Sequence, residues 1–220
     1  MSMIQNLKSV VLFSLILVGA AVQGHDARAA ESESLIVAGG CFWCVESDFE
    51  SVAGVSEAVS GYTGGTTKNP TYKDVTQGGS GHYEAVKITY NPNKVSRDQL
   101  LHMFFRSVDP TDAGGQFCDR GDSYRTAIFY SDPAQKQSAE NAKREAQVAL
   151  GTKVVTPILP AATFYDAEAY HQDYYKGSKL VLTRFGPKKQ SSAYKRYRKA
   201  CGRDQRVEEL WGNAAPFVGH

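Results

Sequence analysis

Residues 38–47 read AGGCFWCVES and set Cys41 and Cys44 three positions apart, with Phe42 and Trp43 between them. The loop closed by such a pair is too short to add much stability as a staple, so the spacing points to redox or metal chemistry. The preceding stretch, ESLIVAGG (33–40), reads as a buried strand ending in a glycine turn, and Val45, Phe49 and Val52 then recur at helical spacing. Cys41 is therefore expected at a strand-to-helix junction, where unpaired backbone N–H groups and the helix dipole favour an anion and lower a thiol's pKa. Gly39 and Gly40 are read as keeping Cβ atoms away from that thiol.

A second chemical group comes from HYEAVKITYNP (82–92), whose alternation predicts a strand with Glu84, Val86, Ile88 and Tyr90 on one face. A carboxyl group on that apolar face is poorly solvated, keeps its proton near neutral pH and can act as a general acid. The other two cysteines are Cys118, in the polar loop DPTDAGGQFCDRGDS (109–123), and Cys201, in the C-terminal tail. Besides acid-assisted thiol chemistry, two readings stand: a general thiol–disulfide oxidoreductase built on Cys41 and Cys44, and a structural zinc site using Cys41, Cys44, Cys118 and Cys201.

The elements that must position these groups read as an α+β fold, a single catalytic domain with helices packed around a mixed sheet. GVSEAVSGYTGG (54–65) predicts a strand and turn. Ser96 and Gln99 form a capping box before a helix with Leu100, Leu101, Phe104, Phe105 and Val108 as its apolar stripe. A strand follows over 124–130, then a helix from Pro133 to Leu150 stopped by Gly151, a strand over 153–160, a short aromatic helix over 166–176 and a helical segment around 206–211. The chain has 220 residues, 42% of them hydrophobic, enough for one sizeable core. Its net charge is +2 with scattered basic residues, which gives no support to nucleic-acid binding. The cluster KRYRKACGR (195–203) reads as a solvated face.

The first 29 residues differ in kind. Lys8 precedes the apolar run 9–22, and Ala27-Arg28-Ala29 offers a small-x-small cleavage site. Residues 1–29 are expected to be a signal peptide, leaving 30–220 as the mature domain, exported to a bacterial periplasm with no stable membrane association after cleavage.

Five stretches, GCFWC (40–44), NPTY (69–72), GHYEAV (81–86), CDRGDSYR (118–125) and AEAYHQDY (167–174), resemble in order the motifs of the peptide methionine sulfoxide reductase A family. The resemblance covers essentially the whole mature chain. It implies thiol-dependent reduction of the S epimer of methionine sulfoxide, free or in oxidised proteins and peptides. It further implies Cys41 as nucleophile, Glu84 as acid, Tyr72 and Tyr124 as hydrogen-bond donors to the sulfoxide oxygen, and Phe42, Trp43 and Asp119 as the substrate pocket. That chemistry requires no metal or organic cofactor, only an external dithiol; the exported location suggests a thioredoxin-like donor, and the protein is expected to be a monomer. Most members of that family carry glycine where this chain has Cys44 and asparagine where it has Cys118. Cys201, in the tail where the family commonly places resolving thiols, is the first choice to resolve the Cys41 sulfenic acid, because a Cys41–Cys44 bond is expected to strain the helix start. Cys44 and Cys118 are its rivals.

Overall fold

The computed structural model describes residues 32–183 and 186–219. The predicted signal segment, 1–29, lies outside them. A six-stranded mixed sheet is formed by β1 (Glu33–Gly39), β2 (Val55–Thr63), β3 (Tyr83–Tyr90), β6 (Thr126–Tyr130), β7 (Ile158–Pro160) and β8 (Tyr165–Asp166), in the order β7-β6-β1-β3-β2-β8. All neighbours are antiparallel except β6 and β7. Two hairpins stand apart: β4 (Gly115–Gln116) with β5 (Asp119–Arg120), and β9 (Leu180–Thr183) with β10 (Gly186–Lys189). The helices are α1 (Phe42–Glu50), α2 (Tyr72–Thr76), α3 (Arg97–Phe105), α4 (Pro133–Leu150), α5 (Gln190–Ala200) and α6 (Arg203–Trp211). No helix among the described residues is long and apolar enough to cross a membrane.

Alternation along the strands sends Leu35, Val37, Val86, Ile88, Tyr90 and Ile128 into one core, closed by Phe42, Val45 and Phe49 of α1 and by Leu100, Leu101, Phe104 and Phe105 of α3. Register then fixes the site. Val86 pairs with Val37 on one side and Ser60 on the other, so Glu84, two residues earlier on the same face, lies opposite Tyr62 and beside the turn where β1 gives way to α1. The α3 capping box forms as expected, and Asp132 and left-handed Gly151 bound α4.

Four expectations are corrected. Residues 166–176 form no α-helix: their side chains are spent on distant backbone. Gln172 bonds both the N–H and the C=O of Ser60, Glu168 accepts from the Tyr72 N–H and the Tyr62 hydroxyl, and Asp173 takes a left-handed φ of 56°. Over 153–160 only Ile158–Pro160 pairs, parallel to β6, and the loop 109–123 contains the β4–β5 hairpin. The basic cluster 195–203 is not a uniformly solvated face. Arg198 donates to the Asp48 carboxylate at 2.6 Å and to Asp204, and Arg203 donates to the carbonyls of Gly39 and Ser107 at 2.6 and 2.7 Å, both guanidinium groups being buried.

Those two arginines lock the C-terminal helices onto α1 and the end of β1. Arg198→Met removes the buried guanidinium to which Asp48 is bonded while roughly keeping side-chain volume, and is expected to cost about 3–5 kcal/mol of stability. Urea denaturation at pH 7 checks this; a loss under about 1 kcal/mol would mean that the pair adds nothing over an apolar contact.

Candidate active site

Cys41 is the N-cap of α1, outside the helical spiral at φ −50° and ψ 115°, and its sulfur makes no capping bond. The opening N–H groups of a helix need other acceptors. Glu84 supplies one: its Oε2 accepts from the Phe42 N–H at 3.1 Å. The preceding glycines serve packing and turn geometry, not thiol access. A Cβ on Gly40, at φ +80°, would stand 2.6 Å from Gln116 Cβ, and one on Gly39 would press on Val45 and Val108 at 3.0 Å.

Glu84 is 2% exposed, and its Oε1 is buried without a protein hydrogen-bond partner. Burial pushes its pKa from 4.5 up to about 8, against the pull of the Phe42 N–H; the nearby Asp119 and Cys44 push it further up. The carboxyl therefore holds its proton at neutral pH, as the strand alternation predicted. Tyr72 and Tyr124 reach this point from different elements. The Thr71–Asp74 capping box starts α2 with Tyr72 at its first position, and the turn Asp122–Tyr124 precedes β6. Their hydroxyls lie close enough to influence each other, and burial with the neighbouring Glu84 pushes both pKa values well up, so both remain proton donors. Asp119 accepts from the Tyr197 hydroxyl of α5, and burial raises its pKa.

Phe42 and Trp43 diverge from the cysteine pair as two aromatic walls. Phe42 is buried against Tyr62 and Tyr72, with centroids 5.9 and 6.3 Å away. Trp43 stacks on Tyr174 at 3.8 Å with planes 7° apart and donates its indole N–H to His171 Nδ1 at 3.2 Å. Burial drops the His171 pKa to about 4, so the ring is neutral and can accept. Residue types did not reveal Tyr174, Tyr197, Glu168 or His171 as supports. The AEAYHQDY stretch carries Glu168, His171 and Tyr174, but its periodicity predicts a helix, and no local pattern points to Tyr197.

The four cysteines fall into two pairs. Cys41 and Cys44 are free and buried; Cys118 and Cys201 form a disulfide with Cα atoms 4.8 Å apart, so the favoured resolving thiol, Cys201, is already bonded. A four-cysteine zinc site does not form, since the metal-capable cluster that includes Cys118 and Cys201 contains Asp119 and neither Cys41 nor Cys44. Within the inner pair the sulfurs share a hydrogen bond. Burial, with the Cys44 contact and the nearby Glu84 and Asp119, pushes the Cys41 thiol well up, opposite to the lowering expected at a helix start, while that hydrogen bond, helped by the charges of Arg203 and Arg198, brings Cys44 down to about 7 against burial. The pair thus gives up one proton easily and keeps the other.

Comparison with known proteins matches this arrangement. The family model described as peptide methionine sulfoxide reductase matches residues 33–214. A peptide methionine sulfoxide reductase MsrA 2 from Caulobacter vibrioides is 49% identical over 92% of this chain and 97% of its own. The MsrA of Bacillus subtilis is 45% identical over 83% and 97%. Among solved structures, reduced Mxr1 from Saccharomyces cerevisiae superposes with a TM-score of 0.64 at 31% identity, over 67% of this chain and 86% of that one. Methionine sulfoxide reductase A of Corynebacterium diphtheriae gives 0.61 at 32% identity, over 68% and 76%. With these matches and the motifs gathered around Cys41, the chain belongs to the peptide methionine sulfoxide reductase family.

Proposed function

We propose that the protein reduces the S epimer of methionine sulfoxide, free or in oxidised proteins and peptides, through Cys41 as nucleophile and Glu84 as acid. The observation that carries this assignment is the protonated, buried carboxyl of Glu84 bonded to the first N–H of the helix that Cys41 caps. Attack on the sulfoxide sulfur by the Cys41 sulfur, carrying the anion that the coupled Cys41–Cys44 pair forms on losing its first proton, builds negative charge on the sulfoxide oxygen. Glu84, Tyr72 and Tyr124 are the donors that meet this charge, and they favour the transition state because the oxygen is a weaker acceptor in the ground state. The oxygen stays with the Cys41 sulfur as a sulfenic acid and methionine leaves; a second thiol then condenses with the sulfenic acid, releasing water and forming a disulfide. Phe42 and Trp43 hold the S-methyl group, with Asp119 beside it. Every step uses side chains and an external dithiol, for which a thioredoxin-like donor is the proposed source, with no metal or organic cofactor. Export on the predicted signal places the reaction in the periplasm, where a monomer repairs oxidised proteins.

The test is turnover of separated S and R sulfoxide peptides with dithiothreitol. Reduction confined to the S epimer is expected, and equal turnover of both would overturn the stereochemical assignment. In the same assay Tyr72→Phe and Tyr124→Phe are each expected to lower kcat by about 10²-fold, the scale of losing one oxyanion donor, with KM nearly unchanged. A rise in KM at constant kcat would make the hydroxyls ground-state binders.

A further inference from the structure

We infer that the protein carries two dithiol pairs in series: Cys44 resolves the Cys41 sulfenic acid, and Cys118, backed by Cys201, returns the inner pair to its reduced form. The inference rests on the reductase reading and assigns the thiols that this reading leaves open.

The inner step follows from local geometry. Cys41 as N-cap lies off the helical spiral and Cys44 occupies the third helical position, the one toward which an N-cap side chain normally points. The two side chains already pack together beside Tyr194, and the Cys44 N–H bonds the Cys41 carbonyl at 3.1 Å, so the bond closes within the first turn of the helix. Cys201 is poorly placed to compete. It lies between Arg198 and Arg203, each 2% exposed and bonded to Asp48 and to the Gly39 carbonyl, so a swing of Cys201 toward Cys41 would withdraw two buried guanidinium groups.

The outer step follows from access. Cys41 and Cys44 are 7% and 2% exposed, out of reach of a thiol on another protein, whereas Cys118 is exposed. The Cys118–Cys201 disulfide lines a groove of about 970 Å³ whose walls include Trp43, Tyr174 and Tyr197, so the groove and the active site share Trp43 as a wall. Cys118 sits in the two-residue turn between β4 and β5, next to Asp119, whose charge is felt at Cys41. Once the outer disulfide is reduced, this turn is the mobile partner and α5 the fixed one.

Atoms and electrons balance. The Cys44 thiol attacks the Cys41 sulfenic sulfur, forming S–S and releasing water. The Cys118 thiolate attacks Cys41 in that disulfide and Cys44 leaves as thiolate; Cys201 then attacks Cys118 and Cys41 leaves. Two electrons have moved inward, and the molecule rests with the inner pair reduced and the outer pair oxidised, the state the structure shows. An external dithiol reduces Cys118–Cys201.

The experiment starts from fully reduced full-length protein, adds excess S-sulfoxide peptide without reductant, and counts methionine released per chain, with dimedone trapping and disulfide mapping after acid quench. About two methionines are expected from the wild type and about one from Cys118→Ser/Cys201→Ser. Cys44→Ser is expected to release about one, with Cys41 dimedone-reactive and in no disulfide; that first methionine also shows that the variant is folded. Two methionines from Cys44→Ser, with a Cys118–Cys201 disulfide formed, would show direct resolution by Cys201 and overturn the inference, as would a single methionine from the wild type. No methionine from the wild type would instead sink the reductase reading itself.

Discussion

Cys41→Ser is expected to reduce turnover of S-sulfoxide peptides to background, a loss on the order of 10⁶-fold, because a serine hydroxyl cannot take the oxygen from sulfur as a thiolate does. Serine is nearly isosteric and the N-cap favours it, so α1 should persist and the Trp43–Tyr174 stack should keep its near-ultraviolet circular dichroism. Cys41→Ala, which leaves no donor at this position, gives a second, independent readout at Cys44. The hydrogen bond from Cys41 is the largest cause holding the Cys44 pKa near 7, and removing it leaves burial opposed only by Arg203 and Arg198. The pH midpoint for alkylation of Cys44 should therefore rise in Cys41→Ala, whereas Cys41→Ser keeps a hydroxyl that can still donate. Residual turnover near wild type would transfer the nucleophile to Cys44, and an unmoved alkylation midpoint would assign Cys44's acidity to the arginines alone.

The sequence made the front of this site readable and hid its back. The strand alternation that put Glu84 with Val86 and Ile88 carried its burial and its raised pKa, because a central antiparallel strand has one consistent core face. The glycine turn followed by Val45 and Phe49 placed Cys41 at the start of α1 for the same local reason. What failed was non-local. Residues 166–176 have helix-compatible periodicity, but Glu168 and Gln172 find better partners in the backbone of Tyr72 and Ser60, about 100 residues away, and no local pattern encodes that.

The C-terminal tail shows the converse error. Residues 195–203 carry enough Lys and Arg to read as a solvated surface, and Lys195 and Lys199 do face solvent. Arg198 and Arg203 alone turn inward, because Asp48 and the open carbonyls of Gly39 and Ser107 offer planar, multiply bonded partners that a solvated lysine could not match. Through these two side chains the tail braces the cysteine-bearing helix from behind. This is why Cys201, sequence-adjacent to both, is anchored instead of free to swing.

Glu84→Gln is the change with opposite expected effects on activity and stability. The amide oxygen can still accept from the Phe42 N–H, so the helix start is retained, but the acid is gone. Loss of a general acid is expected to lower the oxygen-transfer rate by about 10²–10⁴-fold. In the wild type that rate should fall as pH rises through about 8, where the carboxyl deprotonates, and this limb should be missing from the variant's profile. Stability moves the other way. Folding raises the pKa of Glu84 from 4.5 to about 8, so the folded protein binds this proton more tightly than the unfolded chain; the stability it contributes is full below 4.5 and drains away as pH rises to about 8. The neutral amide has no such drain. Glu84→Gln should therefore unfold at higher urea than the wild type at pH 8, by up to a few kcal/mol, with the gap closing toward pH 5. A variant that is slower but no more stable at pH 8 would mean that the carboxyl is already solvated as an anion in the folded state. One that keeps wild-type rates would move the acid to Tyr72 or Tyr124.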